Sequence, residues 1–404
     1  MRTKDPQSNP TTMARLKILQ LFSRYLQYGG EEGSLYRIGD ALESRHDVDY
    51  FITSTEEMMR NPRIMLPLLA YRNLPVLSRL SKYQRLGNFD FWQIHNVFPA
   101  ISPGAYTLAE KLGIPIVHYL HNYRMGCVNG FWFTKGEECR KCSSGNFLPG
   151  VLGKCWRDSY GQSAVMALML KDVHRRGLTQ QVRRWIAISH SQKTAHVEIG
   201  LPADRIDVVH HFLDHQPTEG VADFPVQGYG LFIGRLSPEK GVDCLLTAWS
   251  KLSKTRQLVI AGDGPELASL QQLAVSLNLT NVRFVGFVDQ SGKKELWRGA
   301  AFSIVPSVWQ EPFGMVVLEA WAQGRPVVAH RIGALPEIIT DGFDGFLANP
   351  GDPGDLAKVL ESTFLSEPML RDMGQNGLKT LLTRFNKSRW LERIDEVYRN
   401  AGLL

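Results

Sequence analysis

The sequence predicts an α/β protein made of two Rossmann-like, doubly wound parallel-sheet domains that face each other across a cleft. Three observations lead there. The chain has 404 residues, and single hydrophobic cores stop growing at roughly 250–300 residues, so it divides. Short apolar strands alternate with helical stretches, the rhythm of βαβ units. The run from Asp214 to Gln227 carries three acids, two prolines and few apolar residues, which is the composition of a linker. The predicted segments are a tail over 1–15, a first domain over 16–213, a second over 214–385 and a final helix over 386–404.

In the first half the expected strands are Leu16–Phe22, Asp49–Thr53, Phe89–His95, Ile114–His121, Trp185–Ser189 and Ile206–Val209. The glycine pair Gly29-Gly30 follows the first strand and opens a helical stretch to Leu42, and Pro103–Leu112 forms another helix. In the second half the strands are Tyr229–Gly234, Gln257–Gly262, Val282–Gly286, Ala301–Pro306, Pro326–His330 and Gly345–Leu347. Helices Gly241–Leu252, Pro265–Leu277, Lys293–Trp297, Gly314–Gln323, Leu335–Ile339 and Pro353–Leu365 alternate with them. Crossovers of this length suit a doubly wound sheet, in which ligands bind beyond the carboxyl ends of the strands. Residues that follow strands directly are therefore the ones to weigh for chemistry.

Composition narrows the function classes. The hydrophobic fraction is 44%, the charged fraction 21% and the formal net charge +6. That mild basic bias serves solubility or affinity for anions, and only the placement of charge separates the two. With no apolar run of about 18 residues, nothing should span a bilayer. The stretch Met1–Arg15 is polar, holds Pro6 and Pro10 and lacks the apolar core of a signal peptide. It reads as a disordered tail, with Met13 an alternative start. The expectation is a cytoplasmic protein, in surroundings where disulfides are rare. No recognised nucleic-acid-binding module accompanies the basicity, so no nucleic-acid partner is expected.

Three motifs stand directly after strands. In the first, Gly234-Arg235-Leu236-Ser237-Pro238-Glu239-Lys240-Gly241, Gly234 lets the backbone approach a ligand and a helix N-terminus attracts anions. Arg235 can grip a diphosphate through two bonds while Lys240 acts as a point charge; a solvated basic turn is the plainer alternative. The second is Ala261-Gly262-Asp263-Gly264-Pro265-Glu266, where Asp263 either caps the next helix or meets a ligand. The third, Glu311-Pro312-Phe313-Gly314-Met315-Val316-Val317-Leu318-Glu319, sets two carboxylates eight positions apart. Each can accept two hydroxyl hydrogen bonds, which suits sugars and ribose. Glu319 stands between Leu318 and Ala320 in an apolar helix, so it should be partly buried and in need of partners.

Together these motifs resemble the signature of glycosyltransferase family 4, retaining enzymes of GT-B fold. The family pattern G-R-L-x-x-x-K-G stands at Gly234–Gly241, and its E-x7-E element at Glu311 and Glu319 with P-F-G inside it. The resemblance implies a nucleotide-sugar donor held by the second domain and an acceptor on the first. Arg235 and Lys240 would bind and stabilise the leaving diphosphate, Glu319 the ribose, and Glu311 the sugar hydroxyls, helped by the Phe313–Met315 backbone. Gly30 would approach the donor from the first domain, and the final helix would cross back onto that domain. No catalytic metal is implied, since the two cations stand in for one and no D-x-D element is evident in the donor region. The activity implied is transfer of a hexosyl group from a UDP- or GDP-sugar to a glycan or lipid-linked acceptor, in cell-surface polysaccharide assembly.

The first half offers His121, which matches the family's cleft histidine. His95 and Asn96, with Ser102, resemble an acceptor-side loop of a polysaccharide-assembly subgroup. Cys127, Cys139, Cys142 and Cys155 cluster in sequence, with a C-x2-C pair in the middle. The spacing allows a structural zinc site of four thiolates or a set of inert thiols. Between Arg60 and Arg85 stand six basic residues and no acid, with leucines interleaved. That is either a face for an anionic membrane, giving a peripheral place on its inner side, or a solvated helix pair.

Two rival classes remain. A nicotinamide-dependent oxidoreductase needs G-x-G-x-x-G after its first strand, and the glycines at 29, 30 and 33 do not supply it. A non-catalytic nucleotide-sugar-binding protein of the same fold shares every polar position and differs only in turnover.

Overall fold

The computed structural model describes residues 14–26, 29–214, 224–225, 228–364 and 366–404. Most of the predicted tail, the alternative start and most of the predicted linker lie outside them. Two six-stranded parallel sheets organise the chain. In chain order the strands are β1 (Lys17–Arg24), β2 (Asp47–Ser54), β3 (Phe91–Asn96), β4 (Ile116–Leu120), β5 (Phe133–Thr134), β6 (Glu137–Glu138), β7 (Val182–Ala187) and β8 (Ile206–Val208). They continue with β9 (Tyr229–Ile233), β10 (Leu258–Ala261), β11 (Val282–Gly286), β12 (Ala300–Val305), β13 (Val327–His330) and β14 (Gly345–Ala348).

The first sheet runs β2-β1-β3-β4-β7-β8 and the second β11-β10-β9-β12-β13-β14. The antiparallel hairpin β5–β6 stands apart. Strands of a parallel sheet are covered on both faces and so read as apolar runs. Accordingly β1 is buried from Ile18 to Ser23, and β12 throughout. Helices on the second sheet bury Leu245, Trp249, Leu356 and Leu360 against Phe232, Ile260, Phe302 and Ile304. The second sheet has the strand order in which the chain reverses direction between its first and fourth strands, and ligands bind at that switch point. Here the switch lies between β9 and β12, which lead directly into the first and third motifs.

The chain forms two compact units. One comprises Met1–Tyr119, Arg176–Trp185 and Ile394–Leu404; the other comprises Leu120–Arg175 and Ile186–Arg393. The units interleave along the sequence instead of dividing at the linker. In the first unit the last segment is tied down by polar bonds. The Tyr398 hydroxyl donates to Gln93 Oε1 at 2.7 Å, and buried Asp395 pairs with Arg45. In the second unit, the segment after β4 reaches the loops of the β9–β14 sheet.

Candidate active site

The site is built from the carboxyl ends of β9, β10 and β12. After β9 the chain makes a single 3-10 turn, Pro238–Lys240, and then Gly241 turns it into the helix Val242–Trp249. Arg235 is exposed, and no described residue pairs with its guanidinium. After β10, Gly262 has φ of +147°, and a Cβ there would lie 1.8 Å from the Gly234 carbonyl oxygen. Only glycine lets the two strand-end loops touch backbone to backbone. Asp263 does not cap the following helix, which begins at Leu267 with Glu266 before it and no side-chain cap. Its carboxylate accepts from the Gly264 N–H at 2.7 Å, and its carbonyl accepts from the Leu236 N–H at 2.9 Å. It fastens the first two motifs to each other.

Glu311 is the most constrained group. It is 8% exposed, and one oxygen, Oε2, accepts three hydrogen bonds: from Lys240 Nζ at 2.8 Å, Ser307 Oγ at 3.0 Å and Trp309 Nε1 at 3.0 Å. Burial alone would push its carboxyl pKa up. The Lys240 charge and these bonds outweigh burial and hold it below the usual carboxylate range. The Lys240 ammonium also lies 5.4 Å from the centre of the Trp309 ring. Gly314, with φ of +103°, precedes the helix Met315–Ala322 and offers no side chain to cap it, so the helix start stays available to an anion. Glu319, in the second turn of that helix, is half-buried and bonds Lys293 Nζ at 3.1 Å.

Lys293, Ser307, Trp309 and Gly333 carried no sequence signal that singled them out. Gly333 has φ of +59°, and a Cβ there would lie 2.4 Å from the Glu311 backbone. The Ala334 N–H next to it donates to the Glu311 carbonyl at 2.9 Å. The segment after β4 completes the loop from its other side. Tyr123 donates its hydroxyl to the Gln310 carbonyl at 3.0 Å, and Gln310 Nε2 donates to Glu138 Oε2 at 3.0 Å. Trp309 packs against Tyr123 and Phe131, with ring centres 6.4 and 5.4 Å away. His121 is buried and stacks on His211, which meets Phe313 edge-on at 5.3 Å. His121 thus belongs to the same unit as the Glu311 loop.

Other expected site residues are placed differently. His95 is 3% exposed, stacked on Tyr119 at 5.4 Å and bonded to Gln20. Asn96 donates to the Ser23 and Phe98 carbonyls and accepts from the Phe98 N–H. The Ser102 hydroxyl accepts from the Asn73 N–H. Asn96 and Ser102 thus hold the turn after β3, while His95 ties that strand to its neighbours in the sheet. Gly30 begins the helix Gly30–Leu42, and a Cβ there would meet nothing within 4 Å; the protein's own packing does not require glycine at that point.

Among the described residues no three histidine, cysteine, aspartate or glutamate side chains gather as metal ligands. Cys127, Cys139, Cys142 and Cys155 form no disulfide, and their sulfurs lie near enough to act on one another electrostatically. Cys127 Sγ bonds Asn129 Oδ1 at 3.0 Å. Burial first, and the neighbouring sulfurs second, push the Cys142 thiol up to about 11, so with no metal bound it is protonated at neutral pH. A cavity of about 1030 Å³ lies beside this hairpin, lined by Phe131, Lys135, Cys155, Glu239, Asp243 and Glu266 among others. Arg235, Lys240, Glu311 and Glu319 do not line it, so this cavity is not where the anion-binding groups meet.

An exposed arginine, a lysine bonded to a buried carboxylate, a second lysine–glutamate pair and an uncapped helix start thus converge at the switch point of a Rossmann sheet. Known proteins carry the same arrangement of segments. Residues 28–217 match the model for Glycosyltransferase Family 4, and residues 227–380 that for Glycosyl transferases group 1. The chain belongs to glycosyltransferase family 4. A D-inositol 3-phosphate glycosyltransferase of Catenulispora acidiphila is 38% identical to this family 4 protein over 162 residues, 37% of the chain and 38% of the relative. An uncharacterized glycosyltransferase of Methanocaldococcus jannaschii is 32% identical over 170 residues, 42% of the chain and 47% of the relative. The chain thus spans less than half the length of these curated relatives. Among solved structures, Anabaena HepE in complex with UDP and glucose has a TM-score of 0.68 at 18% identity, covering 95% of this chain and all of that one. Sucrose-phosphate synthase of Thermosynechococcus elongatus also scores 0.68 at 18% identity, covering 96% and 99%. These likenesses establish the fold, two Rossmann-like sheets of GT-B type.

Proposed function

We propose that this protein is a retaining glycosyltransferase that moves a hexosyl group from a UDP- or GDP-sugar to a glycan or lipid-linked acceptor in cell-surface polysaccharide assembly. The observation that carries the reading is the pairing of unpartnered Arg235 with the Lys240–Glu311 bond at one strand-end switch point. An exposed guanidinium there suits a diphosphate, and a buried, ionised carboxylate suits sugar hydroxyls. UDP-sugars are the first donors to test, because the related Anabaena protein was crystallised with UDP and with UDP-glucose.

In this reading Arg235, Lys240 and the Met315–Ala322 helix start hold the donor phosphates, Glu319 the ribose, and Glu311 the sugar. His121 and the Phe313–Met315 backbone face the sugar beside Glu311. The bond from the anomeric carbon to the phosphate oxygen breaks, and the acceptor oxygen bonds to that carbon on the same face. The acceptor proton passes to the departing phosphate. The protein's own share is positioning and stabilisation of the charge that develops on the phosphate. Arg235 and Lys240 supply the opposing positive charge, so transfer should persist in the presence of a chelator.

The test is a screen of purified protein against UDP- and GDP-sugars by thermal shift, which rises when ligand binds the folded state. Transfer and product anomery are then followed by NMR. An α-linked product from an α-linked donor, lost in Lys240→Ala, supports the reading. Binding without turnover for any acceptor class would favour the non-catalytic alternative, and an inverted product would overturn retention.

A further inference from the structure

We propose that the exposed surface of residues 59–86, in the first unit, docks on an anionic phospholipid bilayer. From Met58 to Phe89 the chain has six cations and no acid. In the structure this stretch is one turn of 3-10 helix, Arg63–Met65, the short helix Leu66–Tyr71 and the longer helix Leu74–Gly87. The 3-10 turn buries none of its residues. Ile64 is 89% exposed, Leu68 62% and Leu74 59%, with Met59, Met65 and Tyr71 also exposed. Scattered surface apolar residues are ordinary, but six large exposed ones within sixteen positions are a concentration of the kind found at interaction sites.

The charge around the patch selects the occupant. Arg60 and Arg79 pair with Glu56 and Glu57, which precede the stretch. Arg63, Arg72, Lys82 and Arg85 are exposed and have no acidic partner among the described residues. The helix Leu74–Gly87 keeps Val76, Leu77, Leu80 and Gln84 on its buried side and turns Arg79, Lys82, Arg85 and Leu86 outward. Apolar side chains that can enter the headgroup region, rimmed by cations without counter-charges, fit an anionic lipid surface.

Position gives the patch a use. Asn73, between the two helices, donates through Nδ2 to the Ala100 carbonyl at 2.7 Å, and its N–H bonds the Ser102 hydroxyl at 3.1 Å. The patch is therefore fixed to the loop after β3, at the switch point between β1 and β3 of the first sheet. That edge is where a Rossmann-like sheet receives ligands. Docked this way, the first unit would meet a lipid-linked acceptor at the membrane surface. This part rests on the proposed transferase reading; the lipid contact itself does not.

The experiment is sedimentation of the full chain with vesicles of phosphatidylcholine, with and without added phosphatidylglycerol, over a salt series and without any sugar donor. Binding should need the anionic lipid and weaken as salt screens the charges. Ile64→Asp with Leu68→Asp should weaken it at least about tenfold, and so should Arg63→Glu with Lys82→Glu. Each pair should leave thermal melting and nucleotide-induced stabilisation unchanged, because these side chains are exposed. Equal binding to neutral and anionic vesicles, or wild-type binding in the apolar-to-Asp pair, overturns the proposal. So does a concentration-dependent dimer that the Asp pair abolishes while vesicle binding is absent, since the patch would then be covered by a second copy. Because no donor is present, a protein that binds vesicles but transfers no sugar would refute the transferase reading alone.

Discussion

Replacing Lys240 by methionine isolates the bond on which the site turns. Methionine keeps most of the stem and removes the charge. Glu311, with a side chain 10% exposed, would lose its only ionic partner among the described residues, while Lys240 itself is 25% exposed. Removing one member of a buried pair costs about 3–5 kcal/mol. The Ser307 and Trp309 bonds survive and Lys240 keeps some solvent, so about 2 kcal/mol is expected near neutral pH. The sign of the pH dependence follows from the carboxylate. In the native protein Glu311 titrates below its ordinary range, so its contribution is present above the unfolded value and fades as pH falls through the folded one. Without Lys240, burial dominates and the carboxyl pKa moves up. The variant's deficit should therefore be largest at about pH 8 and shrink by about pH 5, as Glu311 takes a proton instead of standing charged and unpaired. Urea unfolding of wild type, Lys240→Met and Lys240→Met/Glu311→Gln at both pH values measures this. The double variant should recover most of the loss at the higher pH. A deficit that is the same at both pH values, or that is not relieved by Glu311→Gln, would refute the coupling.

Three further outcomes are expected. Arg235→Ala should leave urea stability within about 0.5 kcal/mol of wild type, because an exposed, unpartnered group supports little of the fold; isothermal titration should show UDP affinity weakened by about tenfold or more. Trp309→Phe keeps a ring against Phe131 but deletes the N–H that reaches Glu311. It should cost about 1.5–3 kcal/mol and raise the Glu311 carboxyl pKa, which NMR titration of labelled glutamate would register. His196, buried and neutral, is lowered from 6.5 to about 4, chiefly by burial. Its contribution is complete above the ordinary histidine value and is lost as pH falls toward 4, a change of about 3 kcal/mol. His196→Gln should flatten that part of the stability curve.

The alternation of strands and helices was legible in the sequence because parallel strands buried on both faces read as apolar runs between glycine turns. The expected Tyr229–Gly234 is β9, and the expected Ala301–Pro306 begins one residue early as β12. Boundaries drifted where a strand continues past its apolar run, as at Asp47–Ser54, and where a cap sits inside the predicted helix, as at Glu266.

The chain by itself also determined which residues could carry chemistry, since Arg235, Lys240, Glu311 and Glu319 follow strands, and a Rossmann sheet delivers such positions to one edge. Only the tertiary structure decided what each one touches. Lys240 meets Glu311 across 71 positions, Tyr123 meets Gln310 across 187, and Lys293 meets Glu319 across 26. Strand order brings these together, and no local periodicity encodes strand order. The same reason explains His95, which sits in a motif-like position yet bonds Gln20 in the core, and the four cysteines, whose spacing along the chain does not say which sulfurs become neighbours. Sequence spacing fixes how far apart groups can be along the chain. Burial and side-chain direction, settled only when the sheets assemble, fix whether they meet.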